Sequence, residues 1–206
     1  MRSLLFFFIL GTVPVYLFAQ SPDDSAIKKF LDENRNNWQD LNVPYEDGQV
    51  LYDLIVKNKY KSALEIGTST GHSTIWIAWG LSKTGGKLVT IEIDESRHNE
   101  AVKNLRELKL LAYVDARLAD AHELVKEISG PFDFVFSDAD KGWYTQYFKD
   151  VDPKLTVGGC FTSHNVRNAY GGIKDFLDYV QALPNYETTI NKVSRSGISI
   201  SYKKKQ

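Results

Sequence analysis

Short apolar runs alternate with longer amphipathic stretches along the chain from residue 25 onward. The runs are rich in β-branched and aromatic residues and predict strands, whereas the stretches between them carry apolar residues at helical spacing. We predict strands over residues 62–66, 87–93, 113–118, 132–137 and 159–163. We predict helices over residues 73–81, 95–108, 121–128, 143–150 and 173–183.

Two further helices are predicted ahead of the first strand. An opening helix is indicated by Ile27, Phe30, Leu31 and Trp38, and a second helix covers residues 49–57. The segment "NVPYEDG" between them is interpreted as a connector.

The regular alternation of strand and helix predicts an α/β fold in which a parallel sheet is covered on both faces. The tail differs, because strand patterns at residues 186–191 and 197–202 are separated only by "KVSRSG". Without a helix between them, these two strands are expected to form an antiparallel hairpin at the edge of the sheet.

Composition and charge narrow the choice of function. The 206 residues are 43% hydrophobic and 25% charged, which suits one globular domain. Lys and Arg number 25 against 26 Asp and Glu, so no broad basic surface is available for nucleic acid. The single cysteine, Cys160, cannot form an internal disulfide and is expected to lie in the core.

The first nineteen residues have the pattern of a targeting segment. Arg2 precedes an apolar run, and "LFAQ" offers a cleavage site after Ala19. Cleavage would place the protein in the periplasm or outside the cell. Retention would leave it membrane-anchored or cytoplasmic, although Pro14 and the shortness of the run argue against a spanning helix. We therefore divide the chain into a signal peptide or anchor (1–19) and a single domain (20–206), with N-terminal helices (20–60) and a core (61–206).

The loop after the first strand, "GTSTG", begins the candidate site. Ligands of parallel α/β sheets bind beyond the carboxyl ends of the strands. A phosphate-binding P-loop would need Lys followed by Ser or Thr after the last glycine, where this chain has His72 and Ser73. A dinucleotide fingerprint would need a third glycine between Gly67 and Gly71.

The loop therefore suits a ligand without phosphate, whose carboxylate could face the helix N-terminus. Glu92, at the end of the next strand, could accept hydrogen bonds from a ribose.

Five segments carry a family resemblance: "LEIGTSTGHS", "VTIEID", "ADAHEL", "FDFVFSDADKGWYTQYF" and "GGCFTSHNV". In this order they resemble the motifs of class I S-adenosylmethionine-dependent O-methyltransferases, in the cation-dependent branch of caffeoyl-CoA and catechol O-methyltransferases. The resemblance extends over about residues 43–202. It implies a Rossmann-like methyltransferase fold with a seven-stranded, mostly parallel sheet and an antiparallel C-terminal hairpin.

The resemblance also implies the cofactor, S-adenosylmethionine, and the residues around it. Gly67, Thr68 and Ser69 would lie against its methionine part, Ser73 near its carboxylate and Glu92 at its ribose hydroxyls. Asp120 and Ala121 would border the adenine. The expected cofactor-binding set is Glu65, Gly67, Thr68, Ser69, Gly71, Ser73, Glu92, Asp120, Ala121 and Asp138.

The catalytic expectation rests on "SDADK". By resemblance, Asp138 binds a divalent metal and Lys141 lies near the acceptor hydroxyl, where it can take the proton. The remaining ligands would be His164 and Asn165, but His164 stands where the family has an aspartate. Three alternatives stay open: a metal site that favours Mn, Fe or Zn over Mg, a weakened metal site, or metal-free catalysis with His164 as base. No role is assigned to His72, His98 or His122, which are expected to lack partners.

Two function classes follow. The first is an O-methyltransferase for a small, aromatic, hydroxylated acceptor. The second is a module that binds a nucleoside or a protein partner on the same fold without turnover. Neither involves nucleic acid, and a membrane would be contacted only through the N-terminal segment. A homodimer is compatible with both classes.

Overall fold

The computed structural model describes residues 22–38 and 40–205. The predicted signal peptide or anchor lies outside the described residues. Among the helices that are described, none combines the length and the apolar character that crossing a membrane requires.

Helices and strands alternate in the order expected for an α/β fold. The helices are α1 (Asp24–Glu33), α2 (Tyr45–Asn58), α3 (His72–Thr84), α4 (Glu95–Glu107), α5 (Ala121–Glu127), α6 (Tyr144–Val151) and α7 (Gly172–Gln181). The strands are β1 (Ser62–Ile66), β2 (Lys87–Glu92), β3 (Val114–Leu118), β4 (Phe132–Ser137), β5 (Leu155–His164), β6 (Tyr186–Asn191) and β7 (Ile198–Lys203).

The strands form one seven-stranded sheet in the order β3-β2-β1-β4-β5-β7-β6. The pairs among β1 to β5 are parallel, whereas β7 is antiparallel to both β5 and β6. The predicted fold class is confirmed, including the C-terminal hairpin. Strand β1 lies between β2, which follows it in the sequence, and β4, which comes later. The direction of the strand order therefore reverses between β1 and β4, and the carboxyl ends of these two strands flank the position where such sheets bind ligands.

Apolar side chains cover both faces of the sheet. On one face, Phe148, Phe161 and Phe176 join α6, β5 and α7 in an aromatic cluster. On the other face, α2 and α3 bury residues such as Leu51 and Ile77 against β1, β2 and β4. This double cover holds the strand ends in place around the candidate site.

The second helix begins earlier than predicted. It starts at Tyr45, directly after Pro44, so that Glu46, Asp47 and Gly48 form its first turn and not a connector. Proline is well suited to a helix start and acidic side chains in the first turn favour the helix dipole, so the same residues that looked like a loop initiate a helix. The opening helix is also shorter than expected, because it ends at Glu33 and leaves Trp38 outside it.

Candidate active site

A cavity of about 570 Å³ opens at the carboxyl ends of the parallel strands. This volume lies within the range typical of sites for small molecules and cofactors. Nine of the predicted site residues lie on its wall: Gly67, Ser69, Glu92, Asp120, Ala121, Asp138, Lys141, His164 and Asn165. Residues more than ninety positions apart in the sequence are thus brought together.

The other four predicted residues lie behind the wall. Gly71 is the N-cap of α3, Ser73 follows in its first turn, and Thr68 is buried against Thr90. Glu65 is fully buried, and its Oε2 accepts hydrogen bonds of 2.6 Å from the hydroxyls of Thr74 and Thr90, while its Oε1 has no partner. Burial raises the pKa of Glu65 to about 7, although its hydrogen bonds act to lower the pKa.

The glycine loop passes close to the end of the neighbouring strand. Gly67 has φ of +97°, and a Cβ at this position would stand 2.8 Å from the backbone oxygen of Asp138. The loop is held from the other side by β2, because the backbone N–H groups of Gly67 and Thr68 donate to the oxygen of Ile91. Only glycine satisfies both the backbone conformation and this close approach.

Glu92 is aimed into the cavity by backbone donors. Its Oε2 accepts from the N–H of Ser69 at 2.7 Å, and its Oε1 accepts from the N–H groups of Ile93 and Asp94 at 3.1 and 2.9 Å. A carboxylate has further lone pairs available after these three bonds, so it can still accept the hydroxyls of a ligand. The hydroxyl of Ser69 is buried without a partner and lines the same cavity.

Asp138 is bonded to two cations. Its Oδ1 accepts from the ammonium of Lys141, and its Oδ2 lies 3.0 Å from Nδ1 of His164. Burial alone would raise the pKa of Asp138, but His164 and Lys141 together hold the pKa below its ordinary value. Asp138 is therefore ionised at neutral pH, and Lys141 is its partner at the cavity wall.

His164 bridges two carboxylates. Opposite Asp138, its Nε2 lies 2.8 Å from Oδ2 of Asp47, which is fully buried on α2. The hydroxyl of Ser194 donates to the same Asp47 oxygen at 2.6 Å. Sequence reasoning missed Asp47, because it was assigned to the connector, and the acid in the first turn after Pro44 was the signal that could have placed it on a helix.

The predicted metal ligands do not fit a divalent cation. An imidazole binds a metal through a lone pair, but both nitrogens of His164 face carboxylates, and both oxygens of Asp138 are bonded to cations. Within residues 22–38 and 40–205, no group of three or more His, Cys, Asp or Glu side chains is arranged to hold a metal.

Two histidines expected to lack partners have them. His72 Nδ1 lies 2.8 Å from the oxygen of Val43, its Nε2 accepts from the indole N–H of Trp76, and its ring stacks on Trp38. His122 lines the cavity and stacks on Trp143 with ring centroids 4.0 Å apart. The expectation was wrong because most of these contacts cross between elements, whereas that of His72 with Trp76 lies within α3 at a spacing of four residues. The position of His122 directly after Asp120 and Ala121 was a usable signal.

The rim of the cavity contains residues from the segment before α2. The guanidinium of Arg97 donates to both carboxylate oxygens of Asp40, at 2.6 and 2.9 Å. Leu41, from the same segment, and Ile93, after β2, line the cavity and remain largely exposed. These two apolar side chains provide a surface against which a flat ring could pack.

A smaller cavity of about 380 Å³ adjoins the first and shares Lys141, Asn165 and Ser196 with it. Its wall also includes Tyr170 and Arg195. Lys141 thus lies where the two cavities meet, while its partner Asp138 lines the larger cavity.

The sheet order, the glycine loop without a phosphate-binding lysine and the acid at the end of β2 are those of a Rossmann-like protein with a cavity at the strand ends. A family model described as O-methyltransferase matches residues 19–173. The chain belongs to the O-methyltransferase family.

Individual relatives agree with the family. The chain is 40% identical over 113 residues to a catechol O-methyltransferase of Niastella koreensis, covering 53% of this chain and 51% of the relative. It is 27% identical over 130 residues to caffeoyl-CoA O-methyltransferase 1 of Eucalyptus globulus, covering 61% and 52%. The matches thus span about half the length of these curated relatives.

Similarity to solved structures is more extensive. The crystal structure of an O-methyltransferase from Bacillus cereus in complex with SAH superposes with a TM-score of 0.75 at 29% identity. The match covers 90% of this chain and 93% of that one.

Proposed function

We propose that this protein transfers the methyl group of S-adenosylmethionine to a hydroxyl of a small aromatic acceptor. The observation that carries the proposal is the position of Lys141, paired with Asp138, at the junction of two cavities. The larger cavity is suited to a nucleoside, and the smaller one to an acceptor ring. The point where they meet is the place for group transfer.

The residues of the larger cavity fit the cofactor. Glu92 offers carboxylate oxygens to the ribose hydroxyls, and the unpaired hydroxyl of Ser69 supplies a further polar contact. The backbone at Gly67 has no Cβ that would obstruct a close approach. Ile93 and His122 provide apolar and stacking surface for adenine. None of these groups requires a phosphate.

The protein's part in the reaction is to position the acceptor and stabilise its oxygen as an anion. A phenol with a pKa of about 10 is a weak nucleophile at neutral pH. Lys141, paired with Asp138, offers N–H donors at the junction of the cavities, so we assign it the role of stabilising the phenolate oxygen. The phenolic proton passes to a water molecule before the bound acceptor and cofactor exclude water from the site.

When bound, the cofactor supplies a methyl group on a positively charged sulfur. The new oxygen–carbon bond forms as the sulfur–carbon bond breaks, and the opposite charges of phenolate and sulfonium disappear. A site that excludes water favours this loss of charge.

The smaller cavity supports an aromatic acceptor that carries a polar or anionic group. Tyr170 offers a ring face, while Arg195 and Asn168 offer donors. A non-catalytic binding module is the alternative class. Family membership and the pairing of Lys141 with Asp138 at the junction favour the enzyme.

Calorimetric titration with S-adenosylmethionine tests the proposal. Glu92→Gln should weaken binding by roughly 10- to 100-fold, since a hydrogen bond to a charged group contributes about 1.5 to 3 kcal/mol. Glu127→Gln, at an exposed site, serves as the matched control and should leave the affinity unchanged. Mass spectrometry of reactions with phenols, hydroxybenzoates and catechols then identifies methylated products. Binding without any methylated product would favour a nucleoside-binding module. Absence of binding would contradict the methyltransferase and leave only a module that binds a protein partner.

A further inference from the structure

His164 is held between carboxylates from two different elements. Its Nδ1 lies 3.0 Å from Oδ2 of Asp138, which follows β4, and its Nε2 lies 2.8 Å from Oδ2 of Asp47 on α2. His164 is 3% exposed and Asp47 is 0% exposed. Both ring nitrogens are therefore engaged by carboxylates and kept from bulk water.

The protonation state of His164 follows from this geometry. A neutral imidazole has one N–H and one lone pair, so one of the two carboxylates would have to face a lone pair. Two N–H groups satisfy both carboxylates, which requires the imidazolium.

The charges of this cluster cancel without a metal. The imidazolium of His164 and the ammonium of Lys141 balance the carboxylates of Asp47 and Asp138. A divalent cation added to these four groups would bring two positive charges without partners into a buried place, at a large cost in free energy. With a carboxylate in place of His164, the four positions would instead carry two net negative charges, which one divalent cation neutralises.

We propose that the imidazolium of His164 takes the place of a divalent cation in this site, so that methyl transfer by this protein needs no bound metal. The inference rests on the proposed function. It also widens the acceptor class. A chelating metal selects compounds with two adjacent hydroxyls, whereas Lys141 and Asn165 can hold a single oxygen. Aromatic compounds with one phenolic hydroxyl are therefore acceptors.

A metal titration of the full chain tests the inference without turnover. The purified protein is treated with EDTA, dialysed and titrated with Mn²⁺, with binding followed by calorimetry and by electron paramagnetic resonance. We expect no saturable binding of Mn²⁺ with Kd below about 1 mM. Methylation of a compound with one phenolic hydroxyl should change by less than about two-fold when EDTA is present.

Two substitutions at position 164 sharpen the test. His164→Asp should bind Mn²⁺ at least about 100-fold more tightly than the wild type, because it restores the negative charge that a cation requires. His164→Asn is the matched control, since it has nearly the same shape as the aspartate without the charge, and should not bind Mn²⁺. Circular dichroism and thermal melting confirm that each variant is folded.

The outcomes separate the two proposals. Saturable Mn²⁺ binding by the wild type, or loss of methyl transfer in EDTA, would overturn metal independence while leaving the methyltransferase function in place. Failure of the wild type to bind S-adenosylmethionine would overturn the proposed function instead. If His164→Asp does not fold, the wild-type titration with Mn²⁺ decides alone.

Discussion

The carboxylate of Asp47 lies 2.8 Å from Nε2 of His164, although 117 residues separate the two in the sequence. The contact joins the first turn of α2 to the last residue of β5, and Ser194 adds a hydrogen bond to the same carboxylate oxygen. Three distant segments are thus connected through one buried group. Helix α2 is thereby tied to the sheet directly beside the candidate site.

Removing one partner of this pair should destabilise the fold. Asp47→Asn leaves the imidazolium of His164 with one of its two carboxylates lost, and breaking a buried ion pair costs about 3 to 5 kcal/mol. We expect a loss of this size in the free energy of unfolding measured with urea. Asp53→Asn, at an exposed position on the same helix, is the control and should change it by less than about 0.5 kcal/mol.

A double-mutant cycle isolates the pair. Asp47→Asn combined with His164→Asn should lower the free energy of unfolding by less than the sum of the two single substitutions. Each single variant leaves one buried charge without its partner at this contact, whereas the double variant leaves none. Strict additivity would mean that the two groups do not interact in solution.

The close approach of Gly67 to Asp138 should be essential for binding. Gly67 and Gly85 both have positive φ, +97° and +73°, but only a Cβ at Gly67 would meet another atom, the Asp138 oxygen at 2.8 Å. Alanine at either position incurs a similar conformational cost of about 1 kcal/mol. We expect Gly67→Ala to weaken S-adenosylmethionine binding by at least about 10-fold and Gly85→Ala to leave it unchanged in calorimetry. Equal effects of the two variants would remove the argument for close approach.

The burial of Glu65 should make stability depend on pH. Its pKa is about 7 in the folded protein, above its ordinary value of 4.5, because burial disfavours the carboxylate. The folded state therefore binds the proton more tightly, so stability is highest below the unfolded pKa and is lost as the pH rises through 7. The loss attributable to Glu65 is on the order of 3 kcal/mol.

Comparison with Glu65→Gln isolates this group from the other titrating residues. The amide keeps an oxygen that can accept from Thr74 and Thr90 but cannot ionise. Urea unfolding at a series of pH values from 4 to 8 should show that the variant gains stability relative to the wild type as the pH increases. A constant difference across that range would show that Glu65 does not titrate there.

Lys141 should act on the transfer step and not on cofactor binding. Lys141→Ala removes the ammonium beside Asp138, and loss of one stabilising donor typically lowers kcat by about 100- to 1000-fold. The Kd for S-adenosylmethionine should change by less than about three-fold. Lys174→Ala, at an exposed position paired with Asp178, is the control for kcat. An equal loss in both variants would assign Lys141 no role in transfer.

Much of the fold could be predicted from local patterns. The strands 62–66, 132–137 and 186–191 have the predicted bounds, because each strand pattern is short and lies between clear breaks. The start of α2 was missed because Pro44 and the acids after it occur in loops as well as in helix starts. Whether these residues form a loop or begin a helix depends on the packing of α2 against α3. The local sequence around residue 45 carries no information on that packing.

The amino-acid sequence by itself determined the order of the elements and the residues at the strand ends, since periodicity and glycine placement are properties of neighbouring positions. It placed nine of its thirteen site residues on one cavity wall. The tertiary structure alone decided which groups His164 contacts. A histidine at this position is compatible with a metal ligand, a base or a fixed cation, and the choice depends on the charges around it. The decisive carboxylate, Asp47, comes from a helix far away in the sequence, and only folding brings it within hydrogen-bond distance.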